Sequence, residues 1–314
     1  MSGVDRDESA FEDAKCKFNK EKYNCVSVGT FASTLSLYSG TNIPHQELQL
    51  QVRIGRGGYG EVYLAKWNSA VVAVKKQRSD KGSTKYASKT VEEMIKCWNM
   101  SHSNIVHFLG ACTEVHTLSI VMEYMPMCLH EALFIKQVDF SNKDLLKIIM
   151  GVCEGLLYMH GTANMAHCDL KTKNVLLDYD AKTLSRAKIS DFGLSMSTTT
   201  HVTVRRVGTP RYSAPEVLSG RSLTGRAMMK SDIYSLGLLI YEVIFKTEPL
   251  CDIHREQVKE EVCEKKAVPE MPDTLKVDAT MVQVLNRTWI HDPKDRPTVE
   301  VVRSTFQGKT KIFV

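Results

Sequence analysis

Three short apolar and β-branched runs, Leu50 to Ile54, Glu61 to Lys66 and Ala70 to Lys75, are separated by Gly-rich or polar turns and predict an antiparallel sheet. The period then changes. Val91, Ile95 and Trp98 fall on one face of a helix expected over about residues 87 to 100, and two more strands are expected near Ile105 to Ala111 and Leu118 to Met122. After Met125 helical spacing dominates: Leu145, Ile148, Ile149, Val152, Leu156 and Met159 recur every turn behind Ser141, whose hydroxyl suits a helix N-cap. Ile233 to Phe245 is apolar nearly all round, which predicts a helix in the interior of this second half. That run falls well short of the roughly 20 residues a membrane span needs. Residues 1 to about 46 hold neither period and read as a polar extension with little structure of its own.

A small sheet with one helix followed by a mainly helical half implies an α+β chain of two lobes sharing a cleft. With 314 residues there is length for a large core without disulfides. The nine cysteines include no C-x-x-C pair, so reduced thiols in a cytoplasmic protein are expected and a structural zinc site is not. A formal net charge of +5, with Lys and Arg scattered, argues against nucleic acid as the main partner. Met1 to Ala10 is too acidic and polar for a secretory signal, and Ser2 stands where myristoylation needs Gly, so no membrane association is expected.

Three motifs carry chemistry. In Gly55-Arg56-Gly57-Gly58-Tyr59-Gly60-Glu61-Val62, the glycines let backbone N–H groups approach phosphate oxygens; the same spacing marks dinucleotide sites and plain flexible turns, although there a helix follows and here a strand does. Val72-Ala73-Val74-Lys75 ends a strand on an ammonium placed to hold phosphate oxygens, with Glu93 favoured over Glu92 as the carboxylate that orients it. The most specific is His167-Cys168-Asp169-Leu170-Lys171-Thr172-Lys173-Asn174, followed by Asp191-Phe192-Gly193. Phosphoryl transfer to a hydroxyl needs a carboxylate for the hydroxyl proton, a cation on the moving phosphoryl group and oxygens for a metal ion, and Asp169, Lys171, Asn174 and Asp191 supply these in order.

At these residues the chain resembles the eukaryotic protein kinase family, from about Leu48 to Phe306. The resemblance implies the two-lobed kinase fold, with an extension at 1–47, a small lobe at 48–124, a large lobe at 125–306 and a tail at 307–314. It implies ATP with Mg²⁺, Mn²⁺ being an alternative, and it adds Ile54, Val62, Ala73, Met122, Glu123 and Met125 to an ATP-binding set with Gly55, Gly57, Gly58, Gly60, Lys75 and Glu93. Glu123 and Met125 would meet adenine through their backbones, and Met122 would limit the depth behind it. Phe192, His167, Phe108 and Cys97 match the family's stacked spine, with Gly193 beside Phe192. Glu216, of Ala214-Pro215-Glu216, would pair with Arg296, and Asp232 would brace the catalytic loop.

Lys171 and the Gly208-Thr209-Pro210 segment agree with the serine/threonine-specific members, in which the equivalent of Thr209 contacts the catalytic Asp and Lys. The wording around the glycine loop, Trp67, Phe108 to Cys112 and Trp289 is similar to the tyrosine kinase-like group, which includes Raf and mixed-lineage kinases. The expected partners are therefore ATP and proteins bearing Ser or Thr, with the oligomeric state left open. The departure is Cys168, where most members carry an arginine that binds an activation-loop phosphate; a thiol offers no such fork. Ser195, Ser197, Thr198, Thr199, Thr200 and Thr203 make the following loop a candidate for phosphorylation, with Lys188, Arg205 and Arg206 as possible phosphate receivers. Two alternatives are a pseudokinase or scaffold, against which Lys75, Asp169, Asn174 and Asp191 are all present, and a dual-specificity enzyme. A small-molecule kinase would lack the peptide platform at Gly208 to Glu216.

Overall fold

The computed structural model describes residues 41–57, 60–77, 84–114, 117–180, 182–198, 201–203, 208–272 and 276–313, in two compact units. The first holds residues up to 99 together with 108–124. Strands β1 (Gln49–Arg56), β2 (Gly60–Trp67), β3 (Ala70–Gln77), β4 (Phe108–Cys112) and β5 (Ser119–Glu123) pair antiparallel in the order β1-β2-β3-β5-β4. Their inward residues Ala65, Val72, Val74 and Val121 form a cluster with Ile43 and Leu48. Helix α1 (Thr84–Trp98) buries Val91, Met94 and Ile95, while its Trp98 ring lies 6.2 Å from that of Phe108.

The extension expected to end at residue 47 is not wholly outside this unit. Ile43 is 1% exposed and exchanges strand-like bonds with β4, where the Ala111 N–H donates to the Thr41 carbonyl. Gly110 permits that approach, because a Cβ there would sit 2.5 Å from the Thr41 oxygen. A single apolar residue among polar ones left no period to read in the sequence.

The second unit takes residues 100–107 and everything from 125 on. The strand expected from Ile105 therefore begins only at Phe108. Asn104, Ile105 and Val106 are spent on the second unit's sheet: the Ile189 N–H donates to the Asn104 carbonyl at 2.8 Å and the Val106 N–H to the Ile189 carbonyl at 2.9 Å. Along this unit run β6 (Met127–Cys128), α2 (Asn142–Gly161), β7 (Met165–Ala166), β8 (Val175–Tyr179), β9 (Leu184–Ile189), β10 (Met196–Ser197), β11 (His201–Thr203), α3 (Pro215–Leu218), β12 (Ser222–Thr224), α4 (Gly225–Phe245), α5 (Val258–Cys263), α6 (Ala279–Thr288) and α7 (Val299–Phe306). Helix α4 is buried from Ser231 to Phe245, as its apolar run predicts. The residues after 306 fold back as well, with Ile312 fully buried and its N–H donating to the Asn142 side chain.

Ser141 caps α2 through a reciprocal pair, its hydroxyl accepting from the Asp144 N–H and the Asp144 carboxylate accepting from the Ser141 N–H. Ser141→Ala is expected to lower unfolding free energy by roughly 1 kcal/mol, since one orphan donor of the first turn loses its partner. Urea unfolding of the two proteins measures this, and no change in the midpoint would show that the cap contributes nothing.

Candidate active site

In the first unit the β1–β2 hairpin carries the glycine motif. Gly55 faces Val62 across the pair, and the Gly57 N–H closes onto the Gly60 carbonyl at 2.8 Å. Gly58 lies outside the described residues. Ile54 is 44% exposed, Val62 is half-buried and Ala73 buried. β3 continues under β2 so that Lys75 pairs with Val62, and its ammonium lies 2.6 Å from the Glu93 carboxylate on α1. Glu93 is buried and Glu92 exposed, so the carboxylate favoured from spacing is the one that meets the lysine. Met122 and Glu123 close β5 beside Ala73 and Val72. Met125 is buried as the second unit's chain begins.

In the second unit the loop between β7 and β8 gathers Asp169, Lys171 and Asn174. The Lys171 ammonium is 2.5 Å from Asp169 Oδ2 and donates to Thr209 Oγ1 at 2.7 Å, and the Thr209 hydroxyl donates to Asp169 Oδ1 at 2.8 Å. Three side chains from segments 38 residues or more apart thus close a ring around one carboxylate. Asn174 Nδ2 donates to the Asp169 carbonyl at 2.8 Å and to its Oδ2 at 3.2 Å. Gly208, at φ 92°, lets Thr209 reach in, because a Cβ there would lie 2.8 Å from the Cys168 carbonyl.

The loop is held from below by α4. Asp232, 1% exposed, accepts from the backbone N–H of His167 at 2.7 Å and of Cys168 at 2.9 Å, and His160 Nε2 lies 2.9 Å from the same carboxylate. Those bonds hold Cys168 at φ 68°, a conformation costly for a residue with a Cβ, one position before Asp169. His167 Nδ1 accepts from the Asp169 N–H, which makes Nε2 the donor to the Ser190 carbonyl at 3.0 Å, and its ring meets Phe192 edge-on at 5.8 Å. Phe108 and Cys97, the other two residues expected in the spine, lie in the first unit, Cys97 buried. Gly193 is half-buried after Phe192.

Asn174 and Asp191 stand just outside the paired ends of β8 and β9, where Val175 faces Ile189. Ser190 ties the two strand ends with two bonds to the Asn174 carbonyl, from its N–H at 2.9 Å and its hydroxyl at 3.0 Å. Asp191 is exposed at φ 66°, and Asn174 donates its amide nitrogen to Asp169. A carboxylate and an amide at the adjacent ends of one hairpin are hard-donor types that fit a divalent cation.

Farther out, Arg296 is fully buried and forks onto Glu216, Nη1 to Oε1 at 2.6 Å and Nη2 to Oε2 at 2.8 Å, with its remaining N–H groups on the Ile290, Lys230 and His291 carbonyls. The loop of hydroxyls after Phe192 is less uniform than its sequence. Ser195 is 3% exposed with its hydroxyl on the His167 carbonyl, so a modifying enzyme would have to open this turn first, which removes it as a ready acceptor. Ser197 and Thr198 are half-buried in and after β10, and Thr203 ends β11. Thr199 and Thr200, and the arginines Arg205 and Arg206, lie outside the described residues. Lys188 is buried within β9 rather than turned to solvent as a phosphate receiver would be.

One group under the site was not legible in the sequence. Glu242 of α4 has no exposed surface and accepts from the Tyr212 hydroxyl at 2.6 Å and from Thr172 at 3.3 Å. Burial pushes its carboxyl up to about 8, against the two hydrogen bonds, and pushes the Tyr212 hydroxyl up too. The signal available was an acidic residue inside an apolar helix run. A carboxyl that keeps its proton to higher pH when folded than when unfolded makes the folded state bind more protons between the two values, so stability falls as pH rises from about 4.5 to about 8. Glu242→Gln is expected to flatten that decline in urea unfolding between pH 5 and 8; an unchanged slope would assign the decline elsewhere.

A strand–Gly loop–strand with a paired lysine in one unit, and in the other a carboxylate held by Lys and Thr beside an amide and a second carboxylate of the kind a divalent cation takes, are the parts of a phosphotransferase of the protein kinase class. The chain belongs to the protein kinase domain family, whose model matches residues 48–306. Membership implies ATP, a divalent metal ion and protein substrates. The chain is similar to the Probable serine/threonine-protein kinase drkB of Dictyostelium discoideum, at 32% identity over 263 residues covering 83% of this chain and 37% of that one. It is also similar to the Serine/threonine-protein kinase STY46 of Arabidopsis thaliana, at 29% with 86% and 45% covered, and to the Dual specificity protein kinase shkE of Dictyostelium discoideum, at 31% with 88% and 39% covered. The chain thus spans less than half the length of these curated relatives. No helix among the described residues is long and apolar enough to cross a membrane.

Proposed function

We propose that the chain transfers the γ-phosphoryl group of ATP to serine or threonine hydroxyls of proteins. The observation that carries this reading is the Asp169–Lys171–Thr209 ring. Asp169 takes the acceptor hydroxyl's proton, Lys171 sets a cation where charge develops on the moving phosphoryl group, and Thr209 shapes a floor for a short hydroxyl side chain. In the first unit Lys75, oriented by Glu93, and the backbone around Gly55, Gly57, Gly58 and Gly60 hold the phosphates, with Ile54, Val62, Ala73, Met122, Glu123 and Met125 around adenine. Asn174 and Asp191 would hold Mg²⁺, in preference to Mn²⁺, which would neutralise phosphate charge. Because phosphoryl transfer passes through a loose transition state, positioning and charge supply most of the acceleration.

Within the family we place the chain in the tyrosine kinase-like group, with its kinase domain at 48–306 divided after Tyr124. The seven described cysteines without disulfides agree with a cytoplasmic location. The His167-Cys168-Asp169 loop makes catalytic geometry less dependent on phosphorylation of Ser197, Thr198, Thr199, Thr200 or Thr203, since Asp232 already fixes the Cys168 backbone and no guanidinium awaits a phosphate there. Complete dephosphorylation is expected to leave turnover within about threefold, and a loss of a hundredfold or more would reject that independence.

The experiment that tests the specificity is acid hydrolysis of a mixed protein substrate after transfer from labelled ATP. Phosphoserine and phosphothreonine are expected. The relative named as a dual-specificity kinase favours one second reading, in which phosphotyrosine appears beside them. Phosphotyrosine alone would overturn the proposal.

A further inference from the structure

The match to the kinase family begins at residue 48, yet residues 41–47 just before it are built into the first unit. β4 is the last strand in the order β1-β2-β3-β5-β4, so its outer edge would carry unpaired backbone groups. Residues 41–43 cover the middle of that edge: the Ile43 N–H donates to the Ala111 carbonyl and the Ala111 N–H to the Thr41 carbonyl, both at 2.9 Å. This is strand addition, a mode by which sheets take extended peptides. Around it the Thr113 hydroxyl donates to the Asn42 side-chain oxygen at 3.1 Å, the Glu114 carboxylate accepts from the His45 N–H at 3.1 Å, and Trp67 Nε1 donates to the Glu47 carboxylate at 3.0 Å. Among these residues Ile43 alone is buried, and the side-chain ties are exposed. One apolar anchor between exposed polar ties, each contributing little by itself, is the make-up of a contact that opens without unfolding the sheet.

The anchor sits behind the phosphate lysine. Ile43 belongs to the same buried cluster as Val74 and Val121. Val74 immediately precedes Lys75, and Val121 pairs with Val74 on one side and with Gly110 of β4 on the other. β4 begins at Phe108, whose ring lies 6.2 Å from that of Trp98, the last residue of α1 and so of the helix that carries Glu93. Residues 41–47 thus back both partners of the 2.6 Å contact between Lys75 and Glu93, β3 from within the cluster and α1 by way of β4.

We propose that residues 41–47 are a releasable clasp on the edge of β4: docked, they hold β3 and α1 so that Glu93 meets Lys75, and released, they let the pair separate and phosphoryl transfer fall. This rests on the kinase reading above, in which Lys75 holds phosphate oxygens of the nucleotide. The edge of β4 is then a site for one extended segment with an aliphatic anchor, and its occupant is the chain itself. A partner that draws residues 41–47 away lowers activity without touching the catalytic loop.

Kinetics of the whole chain with a Ser/Thr peptide, run where urea unfolding shows each variant folded, tests this. Ile43→Asp is expected to lose about tenfold in kcat/KM for ATP, within the range that coupling between two sites spans. Gly110→Ala, whose Cβ would lie 2.5 Å from the Thr41 carbonyl oxygen and 2.7 Å from Ile43 Cδ1, pushes the segment off from the other side and loses about as much. Hydrogen exchange at the amides of residues 43 and 111 becomes fast in both. A synthetic peptide of residues 41–47 at about millimolar concentration, the level a short tether supplies, restores Ile43→Asp to within about threefold of wild type because its β4 edge is unchanged. The same peptide leaves Gly110→Ala as poor as before, since that edge no longer admits it. Full turnover in Ile43→Asp would overturn the proposal, as would a peptide that restores neither variant or restores both. Should Ile43→Asp fail to fold, Ile43→Ala takes its place with the same outcomes. Wild type that transfers no phosphate at all would bring down the kinase reading and this proposal with it, whereas active wild type beside an equally active Ile43 variant would bring down this proposal only.

Discussion

Asp169→Asn is expected to lose turnover by about 10² to 10⁴ while binding ATP as wild type does. The substitution preserves shape, and an amide in place of the carboxylate still meets the Thr209 hydroxyl now 2.8 Å away. What it removes is the Oδ2 contact to the Lys171 ammonium, now at 2.5 Å, and the basic oxygen proposed to receive the acceptor's proton. Lys75 and Glu93, proposed to hold the nucleotide, belong to the other compact unit and bond to each other, so the loss should appear in kcat and not in nucleotide affinity. Titration with a fluorescent ATP analogue beside single-turnover transfer separates the two. Turnover retained within tenfold would mean Asp169 is only a structural partner of Lys171 and Thr209.

The largest expected effect on stability lies away from the chemistry. Arg296→Leu is expected to cost roughly 3 to 5 kcal/mol of unfolding free energy, because it strands the Glu216 carboxylate in the interior with the Ser231 hydroxyl at 2.7 Å as its remaining side-chain partner. The carbonyls of Ile290, Lys230 and His291 lose their donors at the same time. Glu216→Leu combined with Arg296→Leu should cost less than Arg296→Leu alone, since no buried charge is left over. Urea unfolding of the three proteins decides; a single-variant loss below about 1 kcal/mol would show the pair to be dispensable.

The chemistry was legible wherever it rests on short spacing. Val72-Ala73-Val74-Lys75 states a strand and a half-buried ammonium together, and His167 to Asn174 keeps its polar residues within one loop, so the sequence alone places them. Ser141 was readable as a cap for the same reason, its partner Asp144 lying one turn away. What stayed hidden depends on long-range partners. Glu242 bonds Thr172 from 70 residues away; its place in an apolar helix run signals burial, but nothing local names the partners it meets there. Ser195 sits among loop hydroxyls yet is buried under His167, because the turn after Phe192 folds inward. Ile105 and Val106 look like the start of a strand, and their β character is real, but the strand they meet is β9 of the second unit.

Transfer of label from γ-labelled ATP to a protein hydroxyl by the wild-type chain, with Mg²⁺ present and nucleotide binding measured on the same preparation, tests the central claim most directly. Label recovered on serine or threonine, and absent with Asp169→Asn, is the predicted result. Measurable ATP binding with no label on any protein would contradict it.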